Sequence, residues 1–327
     1  NVQFDTSVGG TGALVIQPLQ DDFVGSLSLS DFTFGTSLSG LTIGKAATSA
    51  DGTSDQDVTL DAVIDINGPV TVYGGDIAIN QNIDTTGGAA SGDVLMKSSG
   101  DISLASSKSI TTTGGDVILW ANTDGQTSLG SVLLRDQSTV STSGGNIWIG
   151  GSASGGGSTN WNGLTVGDGY AVSGLSITPV AGGAFYSGVY LENADLLSGG
   201  GDISISAKDS SVGAAGAQRA FVNFGASQID AGTGQIQMDV AGINDYTIVT
   251  GMHNSVAASN FVVTSAFDDP SDYAIDISVS TSGDNALIVE GDTTFSATGR
   301  GKIRLDAEAT VGSNETGLLL GWGGLSV

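Results

Sequence analysis

The chain has 327 residues, 52 of them glycine, no cysteine and a net charge of −25 at pH 7. Nine basic residues against 34 acidic ones argue against nucleic acid and anionic membrane surfaces as partners, because both call for clustered Lys and Arg. Disulfide and thiol chemistry are excluded, and no run of about 18 apolar residues offers a membrane-inserting helix.

Of the acids, 30 are Asp and four are Glu (Glu192, Glu290, Glu308 and Glu315). Asp suits turns and strand ends, whereas Glu favours helix, so few helices are expected. A Gly/Ser/Thr-rich acidic chain could be disordered. Here 39% of the residues are hydrophobic and they alternate in strand-length runs, which disordered chains lack. The chain opens at Asn1 without a charged-then-apolar leader, and is expected to be a mature form or an excised piece.

Residues 1–39 differ in texture from the rest of the chain and carry Phe4, Phe23, Phe32 and Phe34. This segment is expected to be an N-terminal cap or an irregular first coil. From Gly40 a short cassette recurs: one or two glycines, an Asp or Asn, then an alternating apolar strand. It reads Gly75-Asp76-Ile77-Ala78-Ile79, Gly92-Asp93-Val94, Gly100-Asp101-Ile102, Gly115-Asp116-Val117, Gly145-Asn146-Ile147 and Gly201-Asp202-Ile203. Self-similarity of this kind marks a solenoid, in which each repeat buries its apolar face against its neighbours. The clearest coil runs from Asp116 to Gly145 with three short strands. The expected fold is therefore all-β: a right-handed parallel β-helix over residues 40–327, with about three short strands per coil of 25–30 residues. Ile110-Thr111-Thr112-Thr113-Gly114-Gly115 and Val140-Ser141-Thr142-Ser143-Gly144-Gly145 are equivalent corners of consecutive coils.

The run Leu41-Thr42-Ile43-Gly44, then Gly68-Pro69-Val70-Thr71-Val72-Tyr73-Gly74-Gly75-Asp76-Ile77, followed by the Gly-Asp coils, resembles the β-strand-repeat segments of large bacterial surface adhesins related to filamentous haemagglutinins. The resemblance covers residues 40–240. It implies a secreted, bacterial-surface protein with an adhesive or structural role, and it brings no catalytic motif.

Several groups could carry function. The cassette Asp residues could form a Ca²⁺-binding carboxylate ladder, or could bond the backbone amides of the Gly-Gly corner, a role that Asn146 fills equally well. Trp120 and Trp148 fall on outward strand positions if Val117, Leu119, Ile147 and Ile149 point inward. They would then form an exposed strip for sugar rings or a partner, unless the insertion at about 151–190 folds over them. That Gly-rich insertion carries Trp161, Tyr170, Phe185, Tyr186 and Tyr190, of which Trp161, Tyr186 and Tyr190 are the candidate ligand contacts, and binding surfaces on solenoids are built from such loops. No cofactor is required by these patterns. Ca²⁺ is the candidate ion, and Asp268, Asp269 and Asp272 around Pro270 form the densest acidic turn for it. His253, the only histidine, is expected at the surface. Arg300, Lys302 and Arg304 read as one face of a late strand near Asp306. An ion pair there accounts for them; otherwise they are the densest basic group for a β-helix polysaccharide lyase or hydrolase, the enzymatic alternative. The apolar end, with Leu318, Leu319, Leu320, Trp322 and Leu325, suggests an assembly surface: self-association end to end, or continuation into flanking segments of a longer chain. The leading expectation is a structural or adhesive solenoid without catalytic residues, with a glycan-binding adhesin module as the alternative.

Overall fold

The computed structural model describes residues 6–8, 10–20, 22–46, 56–87, 92–125, 129–174, 176–177, 185–210, 218–243, 246–252, 260–282, 285–289, 291–310, 316–320 and 325–327. Among the described residues, three sheets with ten, ten and nine parallel strands on their main paths wrap one continuous apolar core. The chain visits each sheet once per coil, which is a parallel β-helix. The first sheet runs in chain order from Ala13–Ile16 through Val117–Trp120 and Ile147–Gly150 to Lys302–Ala309. The second runs from Leu27–Ser28 to Thr316–Leu320, and the third from Ile64–Asp65 to Leu325–Ser326. Residues before Gly40 enter the same ladders: Ala13–Ile16 lies in register on Gly40–Ile43, and Leu27–Ser28 on Val58–Thr59.

The alternation seen in the sequence is the cause of this wrapping. In Val70–Gly74 and Val94–Ser98 every second residue is buried, so Val, Ile and Leu stack on their equivalents in adjacent coils. Coil length is more variable than the 25–30 residues expected. Val94 lies over Val70 and Val117 over Val94, steps of 24 and 23 residues, while Ile275 lies over Ile236, a step of 39. The strands keep register and the corners absorb the difference. Ile203 lies over Ile147, and this step of 56 residues holds the insertion.

Three ladders hold the corners. Gly92, Gly115, Gly145, Gly201 and Gly234 stack so closely that a Cβ on any of the last four would run into the backbone of the glycine one coil before. Beside them, Thr85, Thr112, Thr142 and Ser198 are buried, and each donates its hydroxyl to the carbonyl of the corner glycine that follows it.

The third ladder explains the recurring Asp. Asp93 accepts the amide of Asp116 (2.9 Å), Asp116 that of Asn146 (2.7 Å), Asn146 that of Asp202 (2.8 Å) and Asp202 that of Gln235 (2.7 Å). A parallel row at the next corner links Asp57, Asp76, Asp101 and Ser131. The side chain thus bonds the equivalent amide one coil further on, rather than an amide of its own Gly-Gly corner. An amide oxygen accepts as well as a carboxylate does, which is why Asn146 fits the row.

Candidate binding groove on the first sheet

Outward positions of the first sheet fall in one row by register: Leu95, Ile118, Trp148, Ser204, Gln237 and Asp276. The row changes character half-way, from apolar to polar. The insertion meets the sheet at this junction. Its first part is an antiparallel hairpin, Ser158–Trp161 with Leu164–Gly167, turned by Asn162 and Gly163 at φ 50° and 84°. Those positive angles belong to the two-residue turn whose twist matches a hairpin, and Asn-Gly is its preferred sequence.

The hairpin covers the apolar half of the row. Trp120 and Trp148 are 4% and 3% exposed and cluster with Ile118 and Val166, with Leu95, Trp161 and Leu164 packed around them. The two indoles meet edge to face at 6.2 Å, the Trp120 Nε1–H donates to Ser152 Oγ (3.0 Å), and the Lys97 ammonium sits 4.2 Å from the Trp120 ring. The exposed aromatic strip allowed by the strand period is therefore not formed. About 25 cal/mol per Å² of apolar surface removed from water favours covering both rings.

Beyond the hairpin the polar half stays open as a groove, and Trp161 stands in it. Two depressions of about 320 Å³ each flank this ring and share Gln237. One is lined by Asp202, Gln235, Asp272, Tyr273 and Asp276, the other by the edge of Trp148, Tyr170, Ser204, Ser206 and Asp239. The groove walls are fixed by hydrogen bonds. Asn162 Nδ2 donates to Asp202 Oδ2 (2.6 Å), tying the hairpin tip to the sheet. The Tyr170 hydroxyl donates to Asp239 Oδ2 (3.0 Å), and burial, helped by the Asp239 charge, pushes its pKa up to about 12. Gln235 Nε2 donates to the Tyr273 carbonyl (2.8 Å). Arg304 makes a two-pronged ion pair with Asp276, both contacts at 2.6 Å, and lies 4.6 Å from the Tyr273 ring.

No family model matches the chain, and no curated protein or solved structure does either. The likeness to surface adhesins thus rests on the sequence motifs of residues 40–240 alone.

Of the five aromatic candidates, the groove gathers Trp161 and the edge of Trp148. Tyr186 and Tyr190 lie on the second sheet, where Tyr186 is half-buried and pairs across to Gln218. Tyr190 is fully buried with Leu133 and Val222, and burial beside the Glu192 carboxylate raises its phenol pKa strongly. The acidic turn does not converge on a metal site. Asp268 is paired with Arg300 (2.7 Å), Asp269 accepts the Ser271 amide and hydroxyl, and Asp272 accepts the Tyr273 amide. Among the described residues no group of three His, Cys, Asp or Glu is set to hold a metal ion. Leu318, Leu319 and Leu320 lie on the last strand of the second sheet, and Leu325 packs half-buried against the core. Trp322 and His253 lie outside the described residues.

Sequence reasoning placed Tyr170 in the insertion without a role, and missed Gln235, Gln237, Asp239 and Tyr273. The signals were present. Asn162-Gly163 between Thr159-x-Trp161 and Leu164-x-Val166 announces a hairpin, and counting outward from Trp148 by register reaches Gln237.

Proposed function

We propose that this chain is an adhesive β-solenoid of a bacterial surface that holds a glycan in the groove beside Trp161. The observation that carries this reading is an aromatic ring standing over carboxamide and carboxylate side chains on rigid strands, with a shallow depression on either side of it. Sugars present flat C–H faces to an aromatic ring and hydroxyls to polar groups around it, so such a groove meets both needs. Strands held by stacked coils keep those groups fixed, which limits the ordering penalty on binding. Trp161→Ala should weaken oligosaccharide binding about tenfold or more, as loss of a central aromatic anchor does, while Trp161→Phe retains most of it. Calorimetric titration of the three proteins checks this. Equal affinities would remove the groove from the function.

A second reading, addition of further coils at the ends, has its own observation. Ile303, Leu305 and Ala307 in the last first-sheet strand are only half-buried, whereas their partners Ile275, Ile277 and Val279 one coil earlier are at most 2% exposed. Leu14 and Ile16 at the other end are likewise half-buried, while Leu41 and Ile43 are fully covered. An open coil offers both a core cross-section and a free ladder edge, and stacking of one copy on the next is a heterologous contact that builds filaments. Electron microscopy across a concentration series should then show rods that lengthen with concentration. Dispersed particles of one constant length at every concentration would set self-stacking aside.

A further inference from the structure

We infer that the groove takes a non-anionic glycan laid obliquely across the first sheet, with one sugar in each depression beside Trp161. This rests on the glycan reading above and goes beyond it in naming the ligand's charge class and path.

The path follows from which coils line each depression. The first is built at the beginnings of three successive strands, at Asp202, Gln235 and Tyr273. The second extends further along the strands and one coil earlier, at Trp148, Ser206 and Asp239, and Tyr170 lines it as well. Gln237 belongs to both, so the line joining them crosses the strands diagonally and passes between Gln237 and Trp161. Neighbouring strands are about 4.8 Å apart. A chain of linked sugars following this diagonal would set adjacent rings on the two sides of the indole.

The charge class follows from the hydrogen-bonding inventory. Asp202, Asp239, Asp272 and Asp276 line the groove, and neither depression is lined by Lys or Arg. The Arg304 guanidinium is engaged two-pronged by Asp276, and the Lys302 ammonium, 5.9 Å from the Tyr273 ring, donates to the Ser271 carbonyl. Asp202 is oriented through both oxygens, by the Gln235 amide and by the hairpin tip at Asn162, and Asp239 through one, by Tyr170. A groove so rich in acceptors is met by a ligand's hydroxyl or ammonium donors. A uronate would bring acceptor-only carboxylates beside fixed negative charge, with no cation lining either depression to offset their desolvation. The overall charge of −25 acts in the same direction on approach.

The test is calorimetric titration of the full chain with four oligosaccharide sets of graded length: cello-oligosaccharides, chito-oligosaccharides, their de-N-acetylated amino forms, and oligogalacturonates. Binding by a neutral or amino set, at least tenfold tighter than by oligogalacturonates, supports the inference. So does affinity that rises from the mono- to the disaccharide or trisaccharide and then levels. Asp239→Asn and Asp202→Asn together should narrow the gap to the oligogalacturonates, with the circular dichroism spectrum unchanged. Oligogalacturonates binding as tightly as the neutral sets would overturn the charge assignment and leave the glycan reading standing. Binding by none of the four sets, with the protein folded, would overturn both.

Discussion

Gly145→Ala is expected to lower the unfolding free energy by about 3 kcal/mol or more, a large fraction of the stability of a typical domain. The reason is steric, because the backbone at Gly145 does not adopt the left-handed region. A Cβ placed there drives into the carbonyl of Gly115 in the coil before, and backbone cannot step aside as a flexible side-chain end can. Gly201→Ala repeats the experiment one rung later against Gly145 itself. Gly114→Ala is the control. Its φ is 75° but nothing lies within 4 Å of the added carbon, so only the left-handed strain of about 1 kcal/mol should appear. Urea unfolding of the three variants checks the ordering. A Gly145→Ala protein no less stable than Gly114→Ala would show that the coils are not packed at this corner as described.

Asp101→Asn is expected to stabilise the protein by about 2 kcal/mol at neutral pH and by nothing near pH 4. Asp101 sits half-buried in the second ladder, accepting the Ser131 amide at 2.6 Å above while its own amide donates to Asp76 below. Burial, with the Asp76 charge adding to it, pushes its pKa up to about 6. The folded state therefore keeps a proton that the unfolded chain, titrating near 3.9, has released. Between these values the native state binds more protons, so stability falls as pH rises through that window and the penalty is complete above it. Asparagine has no charge to desolvate. The other row shows that it fits: Asn146 accepts the Asp202 amide and donates to Asp116 from an equivalent corner. Urea midpoints of both proteins at pH 4, 5, 6 and 7 give the answer. The same difference at every pH would mean that burial of the charge is not the cause.

Much of the scaffold was legible in the sequence because its determinants are local and repeated. The period-two alternation sets which residues face in, and the Gly-Asp cassette marks where each strand begins. The role of the cassette Asp was legible in kind, since Asn146 already showed that a charge is dispensable there. Its partner was not, because the amide that it bonds belongs to a residue 19 to 56 positions away. The groove was legible in part for the same reason. Outward placement of Trp120 and Trp148 followed from the strand period, but their burial depends on a hairpin whose docking is a tertiary event. Asp239 and Tyr170, 69 residues apart, meet only once two coils have been laid down.

The 56-residue step between Ile147 and Ile203 has a consequence for how this chain reaches its fold. Every ladder partner lies one coil away, so the molecule zips from a nucleus rather than collapsing as a whole, and each added coil requires closing a loop. Closure entropy grows only logarithmically, at about 0.6 kcal/mol for each doubling of loop length. Relative to the 23- and 24-residue steps before it, the coil that carries the hairpin and the groove is therefore penalised by little more than one such increment. A solenoid can acquire a recognition loop at a corner almost without slowing or weakening its assembly, provided that the strand after the loop still meets the strand before it in register.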